Sequence, residues 1–449
     1  MHPFGEHYEG GYAYMLIRNA TVINLSEGRA IPDSYIATDG PTIVSVGTGV
    51  ASARGGRGRH RGAISDTEEI IDAAGAYVIP GLVNLHAHTA MTPFRGIFDE
   101  HIPEDWFREH VRTYEQRMTP QDVYWGTMLG ALEMLTNGVT CVADHYFHMD
   151  HAFRAFSNSG MRANLAEAVF DAGDGGTRRY EEALGFTREF HNVERRISVS
   201  LGPHSPHLCS DDFLRKVGEE AQRLGVRTHV HVAQTQEQVD RSVAERGKTP
   251  VEVLAETGVL TGGSILAHAY YATDSDMELI KEKGATVAHC PKSYMKFGRI
   301  NDFLPRALKH KIQIALGSGG AVSNNSLGLF EVARMAALLA KASTGNPEEG
   351  PLKNILPLMT AGGRALGLPG YGEVREGAPA DLVMVRPSTA SMQPGVSPAA
   401  DLLYSISERN VDTVIVDGRV VIRRGHHTSV DHEKVFDKNK ELVKRVLST

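Results

Sequence analysis

Cysteine is scarce in this chain of 449 residues: Cys141, Cys209 and Cys290 are the 3 present. They lie too far apart to form a disulfide framework or a cysteine-based zinc site. No apolar run approaches the ~18 residues of a membrane-spanning helix, so no membrane partner is expected. Basic charge is in deficit, with 47 Lys and Arg against 54 Asp and Glu, a net charge of −7. Nucleic-acid binding needs a concentrated basic face, and none is expected here. The start, MHPFGEHYEGGYAY, lacks the basic residues and apolar stretch of a secretory signal, which predicts a cytoplasmic protein. The 41% hydrophobic and 22% charged content is ordinary for a globular chain and excludes wholesale disorder. Histidine, in contrast, is plentiful, with 21 residues.

Residues 14–49 alternate short apolar runs with turns, as in a small β domain. A basic glycine-rich stretch, ASARGGRGRHRG, follows at 51–62 and reads as a solvated surface loop. From residue 77 the chain becomes rhythmic. Eight apolar runs occur: YVIPGLVNLHAH, GVTCVADHYF, MRANLAEAVFD, ISVSLGPHSPH, VRTHVHVAQT, GSILAHAYY, GATVAHCPKS and IQIALGSGG. Amphipathic segments such as DVYWGTMLGALEMLTNG and DDFLRKVGEEAQRLG separate them, each closed by a glycine suited to a C-cap. Eight strand–helix units predict an α/β fold, a (β/α)8 TIM barrel. Past residue 370 short strands return, ADLVMVRP and TVIVDGRVVIRRG. The expected organisation is one composite β-sandwich from 14–76 and 369–430, a barrel over 77–368, and a C-terminal helix over 431–449.

Reactive groups in such a barrel sit at the C-terminal ends of the strands. Six of the eight runs end in histidine: His86 and His88, His145, His204 and His207, His229 and His231, His268, and His289. One such histidine is commonly structural; several converging on one rim suit a metal, since neutral imidazole is a common ligand. His86-Ala-His88 is the most specific piece, because alternate strand residues point the same way. His231 can reach the same point across the barrel. His229 shares its parity one pleat deeper and reads first as a buried core histidine. Three imidazoles plus water suit an open zinc site, with iron or cobalt as alternatives.

Together PGLVNLHAH, the spaced HVH, LAHAYY, VAHCPKS and SGGAVSNN resemble the metal-dependent amidohydrolase superfamily. The chain is most similar to its S-adenosylhomocysteine, methylthioadenosine and adenosine deaminase branch, with chlorotriazine hydrolases alongside. The resemblance runs from residue 14 to about 425. It implies metal ligation by His86, His88 and His231, and a catalytic place for His268 near water or substrate. His204 and His289 match substrate-side positions. It also implies a small-molecule substrate and a homo-oligomer. Two positions depart from the pattern. The strand-5 His-x-x-Glu reads His231-Val-Ala-Gln234, and the strand-8 Gly-Thr-Asp-Gly reads Gly317-Ser318-Gly319-Gly320. An amide does not titrate usefully, so Gln234 cannot shuttle a proton, and Gly319 offers no side chain.

His268 is then the expected general base, and His145, which the family pattern does not supply, is a fourth ligand or proton carrier or, equally, a helix-facing surface residue. Asp144, Glu167 and Asp171, near the ends of strands 2 and 3, are expected in buried salt bridges. Trp106 is placed to stack on a planar ring, with core packing the equal alternative. The Gly-rich SGGAVSNNSLG lacks the lysine of a P-loop and is expected to cap a helix. The expected reaction is attack of activated water on an electron-poor ring or amidine carbon, foremost deamination of a purine-like compound. The rivals are loss of chloride or an alkylamine from a triazine, and a non-catalytic paralogue.

Overall fold

A computed structural model describes residues 14–49, 68–97, 111–171 and 176–448. The strands, in chain order, begin with β1 (Tyr14–Asn24), β2 (Arg29–Asp39), β3 (Thr42–Thr48), β4 (Glu68–Asp72) and β5 (Tyr77–Pro80). Next come β6 (Leu82–Ala87), β7 (Val139–Tyr146), β8 (Arg162–Val169), β9 (Ile197–Pro203) and β10 (Arg227–Val232). The rest are β11 (Ile265–His268), β12 (Thr286–His289), β13 (Gln313–Leu316), β14 (Leu382–Val385), β15 (Val411–Val416), β16 (Arg419–Arg423) and β17 (His426–His427).

Strands β6 to β13 form one eight-stranded sheet in sequence order, with parallel neighbours. It closes on itself: Ala87 bridges Gly319, and the Gly319 N–H donates to the His86 carbonyl at 2.9 Å. This is the (β/α)8 barrel expected of the eight runs. Every residue of β6 and β7 is buried, which is why these strands read as near-continuous apolar runs rather than alternating ones. The intervening helices start where the sequence signals it. Thr119 and Asp122 form a capping box ahead of Pro120–Thr136, and Ser210 caps Asp211–Leu224, which ends at Gly225 with φ +66°.

The two chain ends meet in a single nine-stranded mixed sheet, β17-β16-β15-β14-β5-β1-β2-β3, with β4 paired to β1. It has its own apolar cluster, including Met15, Ile17, Ile36, Val78, Leu382 and Ile415. β5 runs into β6 through Gly81, where a Cβ would sit 2.0 Å from Thr140 Oγ1, so only glycine passes. A buried ionic knot fastens the sheet to the barrel. Arg162 on β8 donates two hydrogen bonds of 2.9 Å to Asp381 and one of 2.6 Å to Asp417, which also pairs with Arg195. The C-terminal helix, His432–Leu447, packs on Pro120–Thr136, with Asn439 Nδ2 donating to the Trp125 carbonyl at 3.0 Å. Among the described residues no helix is long and apolar enough to cross a membrane.

Candidate metal centre

His86 on β6 and His88, the residue just past its end, converge, and barrel closure brings His231 of β10 against them. One nitrogen from each of the three lies within 4.8 Å of the other two. Their other nitrogens are all engaged. His88 Nδ1 faces the His145 carbonyl at 2.7 Å, and His231 Nδ1 faces the His204 carbonyl at 2.9 Å. A carbonyl only accepts, so both Nδ1 atoms carry the proton and both Nε2 atoms are bare. His86 Nδ1 lies 2.9 Å from His229 Nε2, and His86 Nε2 is buried without a hydrogen-bond partner.

The bare Nε2 atoms of His88 and His231 are 3.3 Å apart. Two lone pairs facing each other at that distance repel unless a cation sits between them. Nitrogens bound to one tetrahedral ion at about 2.0–2.1 Å would lie about 3.3–3.4 Å apart. The three residues therefore fit a divalent metal. Burial, and then the neighbouring imidazoles, hold His86 and His231 well below the ordinary histidine value, so both stay neutral as ligands must be.

Four more histidines surround this triad. His145, 1% exposed on β7, places its ring 4.9 Å from that of His231 and 6.1 Å from that of His88. Its Nε2 has no hydrogen-bond partner and lies beside Gly202, where a Cβ would come within 3.1 Å of it. His204 stacks on His231 at 4.8 Å. His268 ends β11 in a left-handed conformation, φ +78°, with its Nδ1 3.2 Å from the Tyr294 hydroxyl and its ring 5.3 Å from that of His86. Burial first, then His88, His289 and His229, push it down to about 3. His289 is buried with neither ring nitrogen hydrogen-bonded, stacked on Phe303 at 5.3 Å, and is likewise pushed down to about 3 by burial.

Gln234 follows β10 and is half-buried, its backbone N–H donating to Gln238 Oε1 at 3.1 Å. A cleft opens beside His231, lined by Pro206, His207, Gln238, Arg241 and Arg246. Trp106 and the stretch 51–62 lie outside the described residues. Gly319 has φ +67°, and a Cβ there would meet Ser293 Oγ at 3.1 Å and Ser323 Oγ at 3.4 Å. Asn84 holds the same turn from below, exchanging hydrogen bonds of 2.7 and 2.9 Å with Ser318.

The three acidic residues expected in salt bridges do something else, because backbone N–H groups reach them first. Asp144 accepts from the Thr89 amide and hydroxyl, both at 2.8 Å. Glu167 accepts from the amides of His148 and Met149, at the start of the helix Met149–Ser159. Asp171 accepts from Ser210, the cap of Asp211–Leu224. Burial pushes both Asp144 and Glu167 up to about 7. The outward partners of the triad, His229 and the carbonyls of His145 and His204, escaped the sequence reading; strand parity alone pointed to His229.

The amidohydrolase family profile matches residues 77–421. The chain is 36% identical over 440 residues to the 5-methylthioadenosine/S-adenosylhomocysteine deaminase of Pelotomaculum thermopropionicum, covering 97% of this chain and 99% of that one. It is 34% identical over 428 residues to the 5'-deoxyadenosine deaminase of Methanosarcina mazei, covering 93% and 99%. Among solved structures, an adenosine deaminase from Xanthomonas campestris with bound zinc superposes with a TM-score of 0.89 at 27% identity, over 97% of this chain and 99% of that one. A zinc-bound atrazine chlorohydrolase from Arthrobacter aurescens shares the fold, with a TM-score of 0.87 at 24% identity over 96% and 100%.

Proposed function

The chain belongs to the amidohydrolase family, and on that footing we propose that it is a metal-dependent hydrolase releasing ammonia from a purine-like substrate. The observation that carries this reading is the convergence of three imidazoles, with bare Nε2 atoms on His88 and His231 and a buried, unpartnered Nε2 on His86. We assign zinc to them, because an all-imidazole set suits it. When bound, the metal supplies a Lewis acid that makes water nucleophilic near neutral pH.

The remaining roles fall to this chain's own side chains. Proton transfer is assigned to His268, whose Nδ1 lies 3.2 Å from the Tyr294 hydroxyl; an Nδ1 proton given to that oxygen leaves Nε2 to accept. Gln234 orients water or substrate by hydrogen bonding, and His145 lines the opposite wall. His204, His289 and Trp106 are assigned to the substrate; His289 has two nitrogens left for a heterocycle. A homo-oligomer is part of the same reading.

A second reading is hydrolysis of a triazine; Gln234 and Gly319 favour its chloride form, since chloride departs without being protonated, whereas an alkylamine needs a proton as ammonia does. Incubating the zinc-loaded protein with adenosine, 5'-deoxyadenosine, methylthioadenosine, S-adenosylhomocysteine and a chlorotriazine separates the two. Ammonia from a nucleoside is the expected result. Chloride release without ammonia, or no product from any of them, would overturn the deaminase reading.

A further inference from the structure

His229 lies on β10 two residues before His231 and is wholly buried. Its Nε2 is 2.9 Å from His86 Nδ1, while its own Nδ1 has no hydrogen-bond partner. The three metal-facing imidazoles are therefore oriented by different means. His88 and His231 give their Nδ1 protons to backbone carbonyls, contacts that no side-chain substitution removes. His86 depends on a side chain.

Resting on the metal centre proposed above, we infer that His229 is a positioning residue whose Nε2 accepts the His86 Nδ1 proton and so keeps His86 Nε2 bare toward the metal. The reverse arrangement, His229 donating, would leave the proton of His86 on Nε2, pointing into the site and blocking ligation. Outer partners of this kind set both the tautomer and the ring orientation of a ligand. The inference also accounts for an otherwise unexplained feature. A neutral imidazole that accepts at Nε2 must carry its proton on Nδ1, and here that N–H is buried and unpaired. A leucine or methionine would fill the same volume without it. A residue kept for packing alone has no reason to be histidine at this position.

The test compares zinc affinity, by competition with a chromophoric chelator, in the full-length parent, His229→Met and His229→Gln, alongside the melting midpoint of each metal-free protein. Methionine removes the acceptor, and His229→Leu makes the same comparison should the methionine variant not fold. The carbonyl of glutamine accepts at a reach close to that of Nε2. The expected result is zinc affinity weakened by about 10–100-fold in His229→Met, an unlowered metal-free midpoint, and affinity close to the parent in His229→Gln. Equal affinity in parent and His229→Met would overturn the inference. So would joint loss of affinity and metal-free stability in both variants, the mark of a packing residue. A parent that takes up no zinc would overturn the metal centre itself, and the inference with it.

Discussion

Lowering the pH of the metal-free protein from about 7 to about 5.5 is expected to destabilise it by about 3 kcal/mol or more. The cause is the buried imidazole cluster. His86, His145, His229, His231, His268 and His289 are all held below the ordinary value, by burial first and, for all but His289, by neighbouring imidazoles as well. The folded chain therefore keeps them neutral, whereas the unfolded chain takes up protons near pH 6.5. Where the unfolded state binds more protons, stability rises with pH; it is full above that value and lost as the pH falls through it. Over this interval each imidazole contributes a loss of about 1.3 kcal/mol, or about 8 kcal/mol for the six.

Three carboxyl groups oppose the loss. Burial pushes Asp144, Glu115 and Glu167 up to about 7, so they take protons in the folded state that the unfolded chain does not bind until about pH 4. Fully counted they return about 5 kcal/mol, and less once the partial exposure of Glu115 and Glu167 is allowed for. The net loss is a large fraction of a typical total stability of about 5–15 kcal/mol. Urea unfolding of the chelator-treated protein, followed by circular dichroism at several pH values, measures it directly. His289→Leu removes an imidazole without hydrogen-bond partners and should flatten the dependence by one proton's worth. A urea midpoint that holds steady or rises on acidification would refute the reasoning.

Elemental analysis of the purified protein is expected to return close to one divalent metal per chain, and a protein that neither holds nor takes up zinc, iron or cobalt would contradict the triad. His268→Asn should lower kcat by about 10²–10⁴ while leaving metal content unchanged; near-full turnover would move its role elsewhere, first to His145. Arg162→Met removes the only ion-pair partner of the buried Asp381 among the described residues, while Asp417 keeps Arg195, and should cost about 3–5 kcal/mol in urea unfolding, with activity per folded molecule retained. Gly319→Ala forces a side chain into φ +67° and should cost about 1–2 kcal/mol; an unchanged midpoint would mean that the turn relaxes freely. Gln234→Glu with Gly319→Asp is expected to lower turnover, because the new carboxylate crowds Ser293 and Ser323, and a rise in ammonia release would reverse that expectation.

Much of this protein is written locally. The apolar runs, the glycines that close the helices and the polar caps that open them are short-range patterns, although the first run divides at Gly81 into β5 of the outer sheet and β6 of the barrel. The His86-x-His88 pair is of the same kind, since a period of two on a strand aims both rings one way whatever surrounds them. The two β-rich ends likewise announced themselves by alternation, and their pairing was expected as a β-sandwich; the fold joins them in one nine-stranded mixed sheet.

Barrel closure decided the rest. Which atom stands behind each ligand depends on pairs 143 residues apart for His86 and His229 and 57 apart for His88 and the His145 carbonyl. No periodicity encodes such a pairing. The same holds for the acidic residues. Asp144, Glu167 and Asp171 looked like salt-bridge partners in the sequence, but folding set unpaired amides of helix starts and turns within 3.1 Å of them. Gly319 read as a lost side chain; in the fold it is also the left-handed residue whose amide stitches the last barrel strand to the first. Sequence can state that a histidine ends a strand. Which partner its second nitrogen finds is decided only once the barrel has closed.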